Sequence, residues 1–208
     1  MKLLVLGGTG GTGSQLVTQA LAAGHDVTVL ARNRSRVTTW HRHLRVIEGS
    51  VENAGPLNEA MHGQDAVISA IGRGKTFKAD SLMKRGVTAI LNAMAQNGVR
   101  RLLLESALGV GDSYADSPIL AKLFFRTLLR GIYADKLVAD NMVRESDSDW
   151  TIVQPSVLTD GPLTRQYRAG EHLALTGMPS VSRADVAHYT LGRVNDPETF
   201  GKTIVVSN

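Results

Sequence analysis

The stretch LGGTGGTGSQ (6–15) constrains this chain more than any other part of it. It follows an apolar run, KLLVL (2–6). It precedes residues 11–23, where Leu16, Val17, Ala20 and Leu21 share one helical face and Gly24 can stop the helix. Gly7, Gly10 and Gly13 have a GxxGxxG spacing, and Gly8, Gly10 and Gly13 a GxGxxG spacing. In such a loop the first glycine permits a tight turn and the middle one lets a pyrophosphate approach the backbone. The last allows the helix to pack closely on the strand. The helix start offers N–H groups and a partial positive charge to phosphates, and Thr9 and Thr12 add hydroxyl donors. Strand, loop and helix in this order predict a dinucleotide site. A nucleoside-triphosphate loop would need Lys followed by Ser or Thr after the last glycine, and the chain has Ser14-Gln15 there.

The remainder repeats the same alternation. DVTVLA (26–31), LRVIEG (44–49), DAVISAIG (65–72), VRRLLLES (99–106), WTIVQP (150–155) and KTIVVS (202–207) read as strands. Helical patterns lie between them: a short one near Pro56–Met61, one over 79–97 closed by Asn97-Gly98, and one over 183–194. Ser117 can cap a further helix, with Pro118 in its first turn and a stripe of Leu120, Leu123, Phe124 and Leu128 running on to Ile132 and Leu137. Strands alternating with helices imply crossover connections. Their nearly continuous apolar composition implies a sheet covered on both faces. The predicted fold is α/β: a Rossmann-type doubly wound parallel sheet in a single domain, 1–208, with residues 156–180 as a small substrate-side cap.

ARNRSR (31–36) follows the second strand, where an acid would accept hydrogen bonds from an adenosine ribose and repel a 2′-phosphate. The chain has Arg32 there, and Asp26 lies at the opposite end of the strand. A guanidinium can grip a phosphate with two hydrogen bonds or stack on adenine, so NADP(H) is expected, with Arg36 and Ser35 assisting Arg32 around the next turn. The same run explains much of the net charge of +4, which leaves a nucleic-acid partner with little support; a solvated basic face is the alternative. There is no cysteine, which excludes disulfides and thiolate chemistry and suits a cytoplasmic setting. No metal-ligand spacing is evident, and no apolar run reaches the about 18 residues of a membrane span.

A Lys one helical turn from a Tyr can lower the phenol pKa so that it passes a proton to a carbonyl or alcohol oxygen. Here Lys136 stands three residues after Tyr133, a spacing that still shares a helix face. Tyr133 is therefore a candidate proton donor, with exposed helix residues as the alternative. Lys136 and Asp140 read as an i,i+4 pair.

LLVLGGTGGTGSQLVTQALAAGHDVTVLARNRSRV, GQDAVISAIG, RLLLESALGVGDS and SDWTIVQPSVLTDGPLT together resemble the atypical short-chain dehydrogenase/reductases with NAD(P)-binding NmrA-like domains, especially the flavin reductase/biliverdin-IXβ reductase type. The resemblance spans nearly the whole chain. It implies that Gly7, Thr9, Gly10, Gly11, Thr12 and Gly13 form the phosphate loop and that Arg32 and Arg36 hold the 2′-phosphate. It places Ser50 and Val51 at the adenine, Ser50 standing where relatives often carry Asp. Ala70, Ile71 and Gly72 fall under the second ribose, Ser106 beside the nicotinamide as the active-site serine, and Pro155, Ser156 and Val157 against the nicotinamide ring. All of them fall at the carboxyl ends of expected strands, where open parallel sheets bind ligands. The implied activity is hydride delivery from NADPH to a flavin, quinone or similar planar acceptor, in which stacking supplies most of the catalysis. The alternative is an NmrA-like NADP(H)-sensing protein without turnover; a nucleotide-sugar epimerase or dehydratase fits the short chain poorly. No membrane or nucleic-acid partner is expected, and the chain is expected to be a monomer or weak homo-oligomer.

Overall fold

The first strand already carries both halves of the core. In β1 (Lys2–Leu6) successive side chains point to opposite faces of the sheet, and both faces are apolar. Leu3 and Val5 join Leu16, Val17 and Ala20 of α1 (Gly11–Ala22) in one cluster, which also takes Ala187 of α6 (Arg183–Gly192). Leu4 and Leu6 join a second cluster on the other face. It holds Leu57 and Met61 of α2 (Ala54–Met61), Val87 and Ile90 of α3 (Leu82–Asn97), and Ala139 and Val143 of α5 (Arg130–Arg144). The result is a computed structural model with three layers, helix, sheet and helix, describing residues 1–72, 81–116 and 130–208. Fully buried leucines such as Leu3, Leu4 and Leu103 are each worth about 1.5–3 kcal/mol of transfer free energy.

The remaining strands are β2 (Asp26–Ala31), β3 (Leu44–Glu48), β4 (Ala66–Ser69), β5 (Arg101–Glu105), β6 (Asp149–Pro155), β8 (Arg168–Gly170) and β10 (Lys202–Ser207). The main sheet runs β3-β2-β1-β4-β5-β6-β10-β8, parallel except for β8, which pairs antiparallel with β10. Leu4 sits between Thr28 of β2 and Val67 of β4. The chain leaves β1 towards β2 on one side and returns to β4 on the other. This reversal opens a crevice at the carboxyl ends of β1 and β4, beside Gly7 and Ala70. The expected α/β fold is thus observed.

Three local outcomes bear on the site. Gly98 closes α3 in the left-handed region (φ 69°), as the Asn-Gly pair predicts. Residues 156–180 divide: β7 (Val157–Thr159) pairs in parallel with β9 (Ser180–Ser182), whereas β8 extends the main sheet. Asp185, buried in the first turn of α6, holds this segment by accepting from the N–H groups of Thr164 (2.9 Å) and Arg165 (2.7 Å). The helix expected from Ser117 and Pro118, with its stripe at Leu120, Leu123, Phe124 and Leu128, falls outside the described residues until Arg130. Before it lies a single turn, α4 (Ser113–Asp116).

Candidate active site

The glycine loop is a cradle in which side chains have no room. Gly7 takes φ +81°, and a Cβ there would lie 2.4 Å from the carbonyl oxygen of Ala70. A Cβ on Gly13 would meet the carbonyl oxygen of Gly7 at 2.0 Å, and one on Gly11 would meet Cδ of Arg183 at 2.5 Å. Helix α1 begins at Gly11 without a side-chain cap bond and with no acid in its first turn. Its leading N–H groups therefore face the crevice as anion donors. These features fit a pyrophosphate.

Two cavities meet at this loop. The outer one, about 400 Å³, is lined by Gly7, Thr9, Gly10, Arg32, Arg36, Ser50, Val51, Ala70, Ile71 and Gly72, with Glu52 and Leu82 among the rest. Arg36 reaches it because Asn33 caps a short turn. The Asn33 side-chain oxygen accepts from the Ser35 N–H (2.9 Å) and hydroxyl (2.7 Å), and the turn carries Arg36 back beside Arg32. Both arginines are exposed, and neither forms an ion pair among the described residues. Ser35 supports the turn and is not among the lining residues, and Arg34 is exposed.

The inner cavity shares Gly10, Ala70, Ile71 and Gly72 with the outer one, so the two form one cleft. It adds Gly11, Thr12, Glu105, Ser106, Ala107, Lys136, Pro155, Ser156, Leu158 and Arg183. Two side chains take places that the sequence does not specify. The Thr12 hydroxyl, buried, donates to Glu105 Oε1 (3.1 Å) instead of facing a phosphate. Val157 is 58% exposed, and Leu158, the next residue of β7, takes the cavity wall. Pro155 and Ser156 stay on the cleft.

Burial sets the electrostatics of the inner wall. It pushes the Glu105 carboxyl above the usual range, against the pull of Lys136, the Thr12 hydroxyl and Arg183. It does the same to Asp140, which is fully buried on α5 behind Ser106. Lys136 acts on Asp140 through its charge, as their i,i+4 spacing suggests, but the carboxyl end of the pair is buried. Lys136 lines the cleft, and Asp140 Oδ2 accepts from the Ser106 hydroxyl at 2.9 Å. Glu105 ends an apolar strand next to Ser106, and Asp140 interrupts the buried stripe of Ala139 and Val143; both were signals in the sequence. Arg183 had none, since it reaches the loop from the far end of the chain. Its Nη1 lies 2.6 Å from Asp160 Oδ1.

Tyr133 is not among the residues lining either cavity. Its hydroxyl donates to the carbonyl of Leu108 at 3.0 Å, and burial raises its pKa. This makes the phenol a tie between α5 and the loop after β5. Tyr133→Phe is expected to lower stability by about 1 kcal/mol, the net worth of one hydrogen bond. Cofactor affinity should be unchanged; thermal melting and an NADPH titration check the pair.

Comparisons with known proteins agree with this geometry. A family model described as NAD(P)H-binding matches residues 7–197. The bifunctional pinoresinol-lariciresinol reductase 2 of Linum usitatissimum is 25% identical over 225 positions covering 99% of this chain, and the chain spans 65% of that reductase's length. Two solved structures share the fold. A wide-type short-chain dehydrogenase/reductase from Veillonella parvula, in complex with NADP, has a TM-score of 0.82 at 22% identity, over 100% of this chain and 94% of its own. ChuY, an anaerobilin reductase from Escherichia coli O157:H7, has a TM-score of 0.81 at 23% identity, over 99% and 96%.

Proposed function

The chain belongs to the NAD(P)H-binding family, and from that premise we propose that it is an NADPH-dependent reductase of a planar acceptor such as a flavin or quinone. One observation carries the reading: a continuous cleft runs from two exposed arginines, Arg32 and Arg36, which form no ion pair among the described residues, past the tightly packed glycine loop to Ser106. The arginines grip the adenosine 2′-phosphate. The N–H groups at the start of α1 hold the pyrophosphate, with Arg183 across Gly11 adding positive charge. Val51, Ile71 and Leu82 flank the adenine, and Ala70 to Gly72 support the ribose at the bend between the cavities. Pro155, Ser156 and Leu158 wall the nicotinamide end, and Ser106 hydrogen-bonds the carboxamide or the acceptor.

When bound, the reduced nicotinamide supplies a hydride. The protein's part is to position the acceptor and exclude water. With the Tyr133 hydroxyl turned to Leu108, no phenol faces the cleft from that position. This suits a conjugated acceptor that takes a hydride at a ring position better than a simple ketone. Relatives named as reductases support the same reaction class.

Stopped-flow oxidation of NADPH against FMN, FAD, simple quinones and biliverdin tests the reading, with turnover of at least one acceptor expected. Tight NADPH binding without oxidation by any of them would overturn it in favour of a cofactor-sensing protein.

A further inference from the structure

Ser106 has a second partner that no reading of the cleft as a binding surface requires. We propose that Asp140 is a buried proton reservoir acting through Ser106, so that the two form the relay that protonates the reduced acceptor. This rests on the reductase reading above. Ser106 is the group that touches the acceptor; Asp140 acts through it.

The geometry supports this on three counts. Ser106 directly follows β5 and lines the inner cavity, and its Oγ lies 2.9 Å from Asp140 Oδ2. Asp140 has no solvent exposure, so its exchange of protons with the cleft runs through that hydroxyl. Finally, Asp140 Oδ1 is shielded and has no hydrogen-bond partner among the described residues. A carboxylate with one unpaired oxygen in such a place is costly, whereas a neutral acid is far less so. Gln154 of β6 donates only weakly to Oδ2 (3.3 Å) while its amide also serves the Val110 carbonyl (3.0 Å).

The charged groups acting on Asp140 are Lys136, one turn earlier on α5 and on the cleft, and Arg144, one turn later. Both favour the carboxylate, as do the bonds from Ser106 and Gln154, but burial outweighs them and raises the pKa. Protonation state sets the direction of the Ser106 bond. When Asp140 is ionised, Ser106 donates to it. When Asp140 is protonated, its O–H donates to Ser106 Oγ, and the serine hydrogen turns into the cleft.

The step balances. The acceptor gains two electrons and one hydrogen as hydride from the cofactor. Its basic atom then takes the Ser106 proton as that O–H bond breaks. In the same motion the Oδ2–H bond of Asp140 breaks and a new Ser106 O–H forms. Asp140 is left as a carboxylate held by Ser106 and Gln154 near Lys136. After product leaves, water in the cleft returns one proton through Ser106.

The test uses menadione and FMN as acceptors with the whole chain. Asp140→Asn keeps the shape and holds no transferable proton; its kcat should fall about 100-fold, in the range of general acid catalysis, with KM for NADPH nearly unchanged. The wild-type kcat should fall as pH rises through the elevated pKa of Asp140, because the protonated form is the active one, and this limb should vanish in Asp140→Asn. Ser106→Ala cuts the relay with Asp140 in place and should lose the same limb, which covers the case of an Asn variant that does not fold. An activity-independent readout completes the test: the infrared spectrum of wild type at neutral pH, with Asp140→Asn as reference, should contain the carbonyl stretch of a buried protonated carboxyl, and Ser106→Ala should shift that band by removing its hydrogen-bond partner. If menadione and FMN are not reduced at all, the reductase reading fails, and the infrared band still decides whether Asp140 stores a proton. A wild-type Asp140 ionised at neutral pH, or variants with wild-type kcat and pH profile, would overturn the relay.

Discussion

Arg32→Asp is expected to weaken NADPH binding about 100-fold and to leave NADH within about threefold of wild type. The magnitude follows from two terms. Removing a charge-assisted pair at the 2′-phosphate costs about 1.5–3 kcal/mol, and each 1.4 kcal/mol is tenfold in affinity. The new carboxylate adds repulsion, moderated by solvent because the site is exposed. NADH lacks that phosphate, and an acid at the end of β2 can accept from its ribose hydroxyls. Arg36→Ala should shift the preference in the same direction by less, since Arg36 reaches the cavity only through the Asn33-capped turn. Arg183→Ala makes the control, because it faces the loop common to both cofactors and should weaken both by a similar factor. Titration of each variant with both nucleotides decides the matter, and equal losses of NADPH and NADH in Arg32→Asp would refute the assignment.

What the sequence made legible was whatever is settled within one strand–loop–helix unit. The glycine loop, the exit of β2 at Arg32 and the end of β5 at Ser106 are local: their residue types and their place relative to a strand end suffice to locate them. The parallel, doubly wound character of the sheet followed from the alternation of strands and helices, whereas the antiparallel β8 at its edge had no such signal. The inner wall was harder because its chemistry is made by layers meeting. Lys136 and Asp140 stand four apart on α5, and the periodicity is the same whether that face meets water or β5 and β6. Only the packing buries Asp140 and turns Ser106 towards it. Thr12 was read as a phosphate donor because of its loop position, yet Glu105, brought alongside by β5, takes its hydroxyl. Leu158 lines the cleft for a related reason, although no local signal marks it. The chain turns after Pro155, and the pairing of β7 with β9 decides which of Val157 and Leu158 faces inward.

The loop also offers a graded steric test, and its severe end is Gly13→Ala. The Cβ would lie 2.0 Å from the Gly7 carbonyl oxygen and 2.6 Å from its carbon. Both are backbone atoms, so no side chain can swing away and α1 must lift from β1. Overpacking of this kind costs about 1–3 kcal/mol, and more when backbone has to move. A cost of about 3 kcal/mol corresponds to a fall in melting temperature of about 6–12 °C for a domain of this size. NADPH affinity should fall with it, by more than about tenfold, because the N–H groups at the start of α1 move off the pyrophosphate. Gly10→Ala meets the Gly7 carbonyl oxygen at 3.2 Å, a tight contact with a backbone atom, and should cost less stability than Gly13→Ala. Gly55, in the first turn of α2, has nothing within 4 Å of its would-be Cβ. Gly55→Ala should therefore leave the melting temperature nearly unchanged, the lower entropy of the unfolded chain being offset by the strain of a Cβ on a helical residue before Pro56, with cofactor binding untouched. The order Gly13, Gly10, Gly55 in melting temperature, read with NADPH titrations, separates a loop shaped for close backbone approach from one that merely tolerates glycine. Gly13→Ala with wild-type melting and affinity would mean that α1 does not need its present contact with β1, and the cradle would lose its physical basis.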